Sequence, residues 1–303
     1  MADQMEEGLA CMEVRGGNIP ADVEFALPGL RMHVISKPYH GEEAGGDVHF
    51  VSSCGTGRIT RLLVADVAGH GANVNATALV LHGLMHRYVN HIDSRKFVER
   101  MNDEFEKLTA SGQFATAIVG TYFAPTRRLS LINAGHPAPL LYRADGGTWT
   151  LLEDAEGVTE TNFPLGIVAQ TTYEQIELDL APGDAVICYT DSLPEARDAD
   201  GELLGFPRLV ELANAAPVGN SMAAWVKGFL NRIDALMPGN LAADDLTVLV
   251  ISAIGDAERA TFGKRVKGIV RGALSPLRGE PIPWPEFTLK NLGGAIFPWL
   301  GRK

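Results

Sequence analysis

This sequence predicts an α+β protein in which sheets stack on one another with helices on the outside. Three observations carry that reading. β-rich runs outnumber helical patterns, the two kinds of segment fall in blocks, and a 303-residue chain with 46% hydrophobic and 21% charged residues is long enough to bury a large core. Strands and helices alternating one by one would have favoured a parallel, doubly wound sheet, whereas segregated blocks favour packed sheets flanked by helices.

Residues 1–29 carry Gly, Glu and Pro without a clear period and read as a short, loose lead-in. From Leu30 the pattern sharpens. Runs at 31–37, 48–53, 59–65, 116–123, 129–134 and 138–143 are rich in β-branched and apolar residues and read as strands. Two helical patterns interrupt them. Over 73–88, Thr77, Leu81, Leu84, Met85 and Tyr88 fall on one side, and over 94–110, Phe97, Val98, Met101, Phe105 and Leu108 do the same. After a Gly- and acid-rich connection, strands are expected at 173–180, 185–190 and 246–252, with helices near 206–215 and 222–236. The folded unit is therefore expected to span 30–255.

Residues 256–303 differ in charge. They hold nine Lys and Arg against four Asp and Glu, a balance of +5, which leaves −16 for residues 1–255 out of the total of −11. Five prolines (Pro276, Pro281, Pro283, Pro285, Pro298) stand among Trp284, Phe287, Phe297 and Trp299, so a long regular helix is not expected beyond Leu274. Such a tail reads either as a strap on the domain or as a docking segment for a partner or a membrane surface.

The net charge of −11 and pI of 5.2 argue against a nucleic-acid partner, since phosphate-backbone binding needs excess Lys and Arg. Cys11, Cys54 and Cys188 are far apart and form no Cys-x-x-Cys pair, which excludes a cysteine zinc site and fits a reducing cytoplasm. The acidic start lacks a signal-peptide pattern, and no stretch reaches the ~18 apolar residues of a membrane span.

Four segments set an aspartate at the end of an apolar strand beside small residues: Gly45-Gly46-Asp47, Asp66-Val67-Ala68-Gly69-His70-Gly71, Thr190-Asp191-Ser192 and Asp244-Asp245-Leu246. One such aspartate alone is a turn former or a helix cap. Four together suit a hard divalent cation, because Mg²⁺ and Mn²⁺ prefer oxygen ligands.

The order GGD, DVAGHG, NAGHPAPLL, FPLGI, APGDAVICYTD and DDLTVLVI resembles the bacterial stage II sporulation protein E-like branch of the metal-dependent, type 2C-like phosphatases. The resemblance runs from about Leu30 to Ile251. It implies a four-layer α/β/β/α sandwich of two antiparallel sheets with the metals at one end. It implies serine/threonine phosphatase activity on a phosphorylated signalling protein, an anti-sigma-factor antagonist, using two divalent cations, Mn²⁺ or Mg²⁺. Carried over by position, Asp66 bridges both ions with the Val67 carbonyl and Asp47 on one of them. Asp191 and Asp244 hold the other, and Asp245 is either a supporting residue or the alternative ligand. Two cations so held lower the pKa of a shared water and screen the phosphate. Control would then come from the termini, a regulatory partner or a second copy of the chain.

Four histidines lie in or near these motifs and helices. His70, between two glycines ahead of a helix, reads either as the acid that protonates the leaving group or as a loop hydrogen-bonder. His136, in Gly135-His136-Pro137, reads as structural. His82 and His86 have the i, i+4 spacing of a metal pair but no acidic third ligand nearby, so a packed helix face is expected. One departure stands out: Ser192 follows Asp191 where the family usually has glycine, and a positive φ there would cost Ser192 about 1 kcal/mol. The competing reading is a phosphatase-like binding protein with little turnover, and a small-phosphoester hydrolase would use the same centre.

Overall fold

A computed structural model describes residues 7–8, 14–54, 57–69, 72–89, 91, 93–109, 112–156, 162–219 and 221–255. The strands are β1 (Glu7–Gly8), β2 (Val14–Gly17), β3 (Ala21–Leu27), β4 (Leu30–Lys37), β5 (Asp47–Ser53), β6 (Ile59–Val67), β7 (Ala115–Phe123), β8 (Arg128–Ala134), β9 (Leu140–Arg143), β10 (Thr148–Leu151), β11 (Ile176–Asp179), β12 (Ala185–Tyr189) and β13 (Leu246–Ala253). The helices are α1 (Ala72–Tyr88), α2 (Ser94–Leu108), α3 (Leu152–Glu156), α4 (Gly205–Asn214) and α5 (Met222–Asp234).

These strands form two sheets. One runs β1-β3-β4-β13-β12-β9-β10 and the other β11-β8-β7-β6-β5-β2. All pairings between these strands are antiparallel except β1 with β3, which is parallel. Strand alternation then sorts the apolar residues into three layers, because successive side chains point to opposite faces. Met32, Val34, Leu62, Val64, Ile118, Val186 and Leu249 fill the space between the sheets. On the outer face of the second sheet, Val48, Phe50 and Ala65 meet Leu81 and Met85 of α1 and Phe97 and Phe105 of α2. On the outer face of the first, Ile35, Tyr189 and Val250 meet Leu209 of α4 and Val226 and Phe229 of α5, with Trp225 stacked between Trp149 and Phe229 at centroid distances of 4.5 and 5.1 Å. The result is the α/β/β/α sandwich.

Local signals set the helix starts. Asp93 caps α2 by accepting the Arg95 and Lys96 backbone N–H groups, and Ser221 caps α5 by accepting that of Ala224. Arg61 ties the α1–α2 connection to the sheet: it is buried, donates to Thr121 Oγ1 (2.7 Å) and the His91 carbonyl, and lies 4.9 Å from the Phe97 ring centre.

The lead-in reading of residues 1–29 is corrected for its described second half. Residues 14–17 form an edge strand of one sheet, and 21–27 form a strand of the other that pairs with β4 from Ala21↔Ser36 to Leu27↔Leu30. The alternation of Ala21, Val23, Phe25 and Leu27 with Asp22 and Glu24 is a period-two signal that Pro20 and the glycines before it mask. Gly16 is required where it stands, since a Cβ there would sit 2.2 Å from the His49 carbonyl oxygen. Two further differences are small: the strand expected at 173–180 is ordered as β11 over four residues, and β10 and α3 lie where no element was expected. Residues 256–303 lie outside the described residues, as do the expectations attached to them. Among the described residues no helix is long and apolar enough to cross a membrane.

Candidate active site

At one end of the sandwich the apolar filling between the sheets gives way to polar residues. Along β6, Leu62 and Val64 point between the sheets, so Asp66 continues the same face. Strand pairing then sets its neighbours: Asp47 of β5 is directly opposite on one side and Thr116 of β7 on the other. Directly opposed residues share a face with Cβ atoms about 5 Å apart. On the facing sheet the same end carries Ser36 of β4, opposite Thr247 of β13, with Thr190 just beyond β12.

Thr190 joins the two sheets. Its hydroxyl donates to Asp47 Oδ2 (2.9 Å) and accepts the Thr247 backbone N–H (2.9 Å), while Thr247 Oγ1 lies 3.1 Å from Ser36 Oγ. Asp47 is 4% exposed, and burial, reinforced by the charge of Asp66, pushes its carboxyl well above the usual range against the opposing Thr190 hydrogen bond. Asp66 is half-buried. Burial and then the carboxylates of Asp191, Asp244, Asp245 and Glu195 push it up to about 7. Asp191 is pushed up to about 6 by burial, Glu195 and Asp244, while the Ser192 N–H favours its charged form. Strands from both sheets therefore concentrate negative charge around Asp66.

The adjacent pair Asp244-Asp245 separates into two roles. Asp245 turns to the loop between β4 and β5, where Oδ1 accepts the Tyr39 N–H and Oδ2 the Gly46 N–H, each at 2.6 Å. A Cβ on Gly45 would meet that carboxylate at 2.4 Å, so a residue without a side chain is needed beneath it. Asp244 stays exposed, and its Oδ1 accepts the Asp245 N–H (2.7 Å). Val67 is buried through its side chain against the helices, and a Cβ on Gly46 would come within 3.4 Å of its carbonyl oxygen. His70 lies outside the described residues.

Ser192 is not strained. The described non-glycine residues with positive φ are His40, Arg127 and Gln170, so Ser192 occupies backbone space open to any residue. The expected cost of a side chain in place of glycine does not arise. Ser192→Gly is expected to lower stability by about 0.4–1 kcal/mol through the freer unfolded chain, with any phosphate release unchanged within a few-fold. Urea unfolding and kcat/KM on the same preparations check both, and a gain in stability would mean that hidden strain was relieved.

His82 and His86 behave as packing residues. His82 and His86 stack edge-on at 4.7 Å and pack against Phe50 at 6.0 and 5.5 Å, and burial lowers the pKa of both. His136 is 5% exposed inside the turn after β8, where its backbone N–H donates to Asn133 Oδ1. The sequence did not single out Glu195, Thr116, Thr190, Thr247 or Ser36. Glu195 alone had a local signal, standing four residues beyond Asp191 in a turn where its N–H donates to the Asp191 carbonyl.

Among the described residues, no three His, Cys, Asp or Glu side chains converge tightly enough to hold a metal ion by themselves. The donor set nevertheless fits hydrated magnesium-type ions, which keep several waters and take only one or two carboxylates. All its donors are oxygens, and the carboxyl groups of Asp47, Asp66 and Asp191, raised first by burial and then by neighbouring carboxylates, form an acidic cluster whose charge cations would offset.

Comparison with known proteins agrees with this geometry. The chain is 26% identical over 137 residues to phosphoserine phosphatase RsbP of Bacillus subtilis (strain 168), a match covering 44% of this chain and 32% of RsbP. Its fold is similar to the RsbU and RsbW domains of Rv1364c from Mycobacterium tuberculosis, with a TM-score of 0.62, 23% identity and coverage of 86% of this chain and 71% of that one. It is also similar to RsbX in complex with magnesium, with a TM-score of 0.57, 17% identity and coverage of 77% and 100%. The family model described as stage II sporulation protein E (SpoIIE) matches residues 56–253, a span that takes in Asp66, Thr190, Asp191 and the Asp244-Asp245 pair. By that match over most of its length, the chain belongs to the stage II sporulation protein E family.

Proposed function

We propose that this chain is a divalent-cation-dependent serine/threonine protein phosphatase whose substrate is a phosphorylated bacterial signalling protein, an anti-sigma-factor antagonist. One observation carries the reading: Asp66 lies half-buried between Asp47 and Thr116 on one sheet with Asp191 and Asp244 near it from the other, and burial, then those carboxylates, raise its carboxyl to about 7. Carboxylates are not gathered this way for stability, because each raises the cost of ionising the next. The family match and the likeness to a phosphoserine phosphatase support the substrate class.

In this reading Asp66, the Val67 carbonyl and Asp47 would hold one cation, and Asp66, Asp191 and Asp244 would hold a second. Bound there, Mn²⁺ or Mg²⁺ would supply Lewis-acid activation of water and screening of the phosphate. The chain's own part is to hold the donors at a fixed spacing. Thr190 ties Asp47 to the opposite sheet, and Asp245 pins the loop that presents Gly46 and Asp47. His70 remains the proposed acid for the leaving group.

The test is phosphate release from a phosphoserine peptide and from p-nitrophenyl phosphate, with Mn²⁺, with Mg²⁺ and with chelator. Release that needs the cation and stops with chelator is expected. Cation binding by calorimetry without turnover on any phosphoester would make this a binding protein instead, and turnover on small esters alone would move the substrate class away from proteins.

A further inference from the structure

The cross-strand row at the active-site end contains one uncharged member, Thr116, and its hydroxyl is engaged from behind. Thr116 Oγ1 lies 2.8 Å from His136 Nδ1. His136 is held in place by the turn it sits in: its N–H donates to Asn133 Oδ1 (2.7 Å) and its carbonyl accepts from Asn133 Nδ2 (3.0 Å). The following turn is fixed in turn by Tyr189, whose hydroxyl donates to the Ala138 carbonyl (2.5 Å) just ahead of Thr190 and Asp191. Packing alone would not require a histidine here, since an apolar side chain fills a buried turn without leaving a ring nitrogen to satisfy.

The protons can be assigned. Burial pushes the imidazole down to about 3, so it is neutral, with one N–H and one lone pair. The backbone carbonyl of Tyr189 is the neighbour that favours a ring proton. Nδ1 is taken by Thr116, and Nε2 is buried without a fully formed hydrogen bond, which leaves Nε2 as the nitrogen to carry the proton toward that carbonyl. Nδ1 is then an acceptor and Thr116 the donor. A hydroxyl whose single O–H is engaged in that hydrogen bond presents only lone pairs in its remaining directions.

We propose that Thr116 and His136 form a positioning pair for the aspartate centre, in which His136 Nδ1 accepts the hydrogen bond of the Thr116 hydroxyl so that Thr116 Oγ1 adds an uncharged oxygen acceptor beside Asp66. An uncharged acceptor has a specific use in this place. It can take a hydrogen bond from a cation's water shell without adding to the repulsion that already raises Asp66 and Asp191. A fifth carboxylate would add that repulsion, and an alanine would leave the water without a partner. The inference rests on the phosphatase reading of the same site.

The test uses the full chain with Thr116→Val, which keeps the shape and removes the oxygen, and Thr116→Ser, which restores it. Calorimetric titration with Mn²⁺ and with Mg²⁺ should show cation affinity weakened on the order of threefold to tenfold in Thr116→Val, the worth of one acceptor, and returned to within about twofold in Thr116→Ser. The ¹⁵N resonances of His136 in the wild-type protein should show the proton on Nε2, and that readout needs neither cation nor substrate. A proton on Nδ1, or Thr116→Val binding the cations as tightly as wild type, overturns the pair while leaving the phosphatase reading standing. Wild-type protein that binds neither cation at millimolar concentration overturns the phosphatase reading, and the pair with it.

Discussion

Asp66→Asn is expected to abolish cation-dependent phosphate release while making the cation-free protein more stable. Changing a residue that merely supports a metal ligand costs about 10- to 100-fold, so losing the charge of the carboxylate common to both proposed ion sites should cost at least about a hundredfold in kcat/KM. The stability change has the opposite sign because of how the carboxyl titrates. In the folded chain Asp66 is raised from 3.8 to about 7, so between those values the folded state holds a proton that the unfolded chain has already lost. Stability of the cation-free wild type therefore falls as pH rises from about 4 to about 7, and above that range the full penalty is in place. Asparagine keeps the shape without the titration. Its melting temperature should exceed that of wild type at pH 8 and lose that advantage toward pH 4. Thermal melts in chelator across this range, run beside phosphate-release assays, check both halves. A mutant with wild-type turnover would remove Asp66 from the centre, and one less stable at pH 8 would show that its carboxylate has a structural role.

Asp245→Ala is expected to change stability in the opposite direction, destabilising the fold and losing activity together. Both oxygens of Asp245 accept backbone N–H groups, from Tyr39 and Gly46, 206 and 199 residues away in sequence. Removing the carboxylate leaves the part-buried Gly46 N–H without its acceptor, frees the β4–β5 loop and opens a space over Gly45. A loss of roughly 2–3 kcal/mol follows from charged hydrogen bonds of this kind, with the Tyr39 contact discounted because it is exposed. Asp245→Asn should recover only part, since Tyr39 and Gly46 each donate to a different oxygen and the amide replaces one of these with an NH2 group that cannot accept. Asp244→Asn is the control. That side chain is exposed and holds only the neighbouring backbone N–H, so its loss should leave the melting temperature near wild type and weaken cation affinity instead. If Asp244→Asn unfolds the protein and Asp245→Ala spares it, the two assignments are reversed.

Much of the architecture was open to a reader of the chain. The apolar stripe of α2 predicts the helix and most of its buried face: Phe97, Val98, Met101 and Phe105 are buried, while Leu108, at the last turn of the same stripe, is exposed. The four short motifs fall at one end of the sandwich, because an aspartate at either end of an apolar strand places a carboxylate where that strand enters or leaves the core. The β3 strand was equally open, since Val23 and Phe25 alternate with Asp22 and Glu24, but the glycines and proline just before it drew the eye toward a loop. The four-residue strand β10 and the five-residue helix α3 are too short for any period to show.

Periodicity is a property of neighbours along the chain, and that is what the sequence by itself determined: which face of each strand and helix is buried, and where acidic residues break those faces. Register, by contrast, is set by pairing between distant segments. Only the folded sheets place Thr116 opposite Asp66, or bring Thr190 within 2.9 Å of Asp47 across 143 residues. The choice between Asp244 and Asp245 was closed to the sequence for the same reason, as two identical adjacent side chains differ only in which way the backbone turns them. Ser192 shows the limit from the other side. Its neighbours in sequence suggested a strained position, but a φ angle is decided by how the whole loop is held, and Thr190 and Asp191 hold it where a side chain is tolerated.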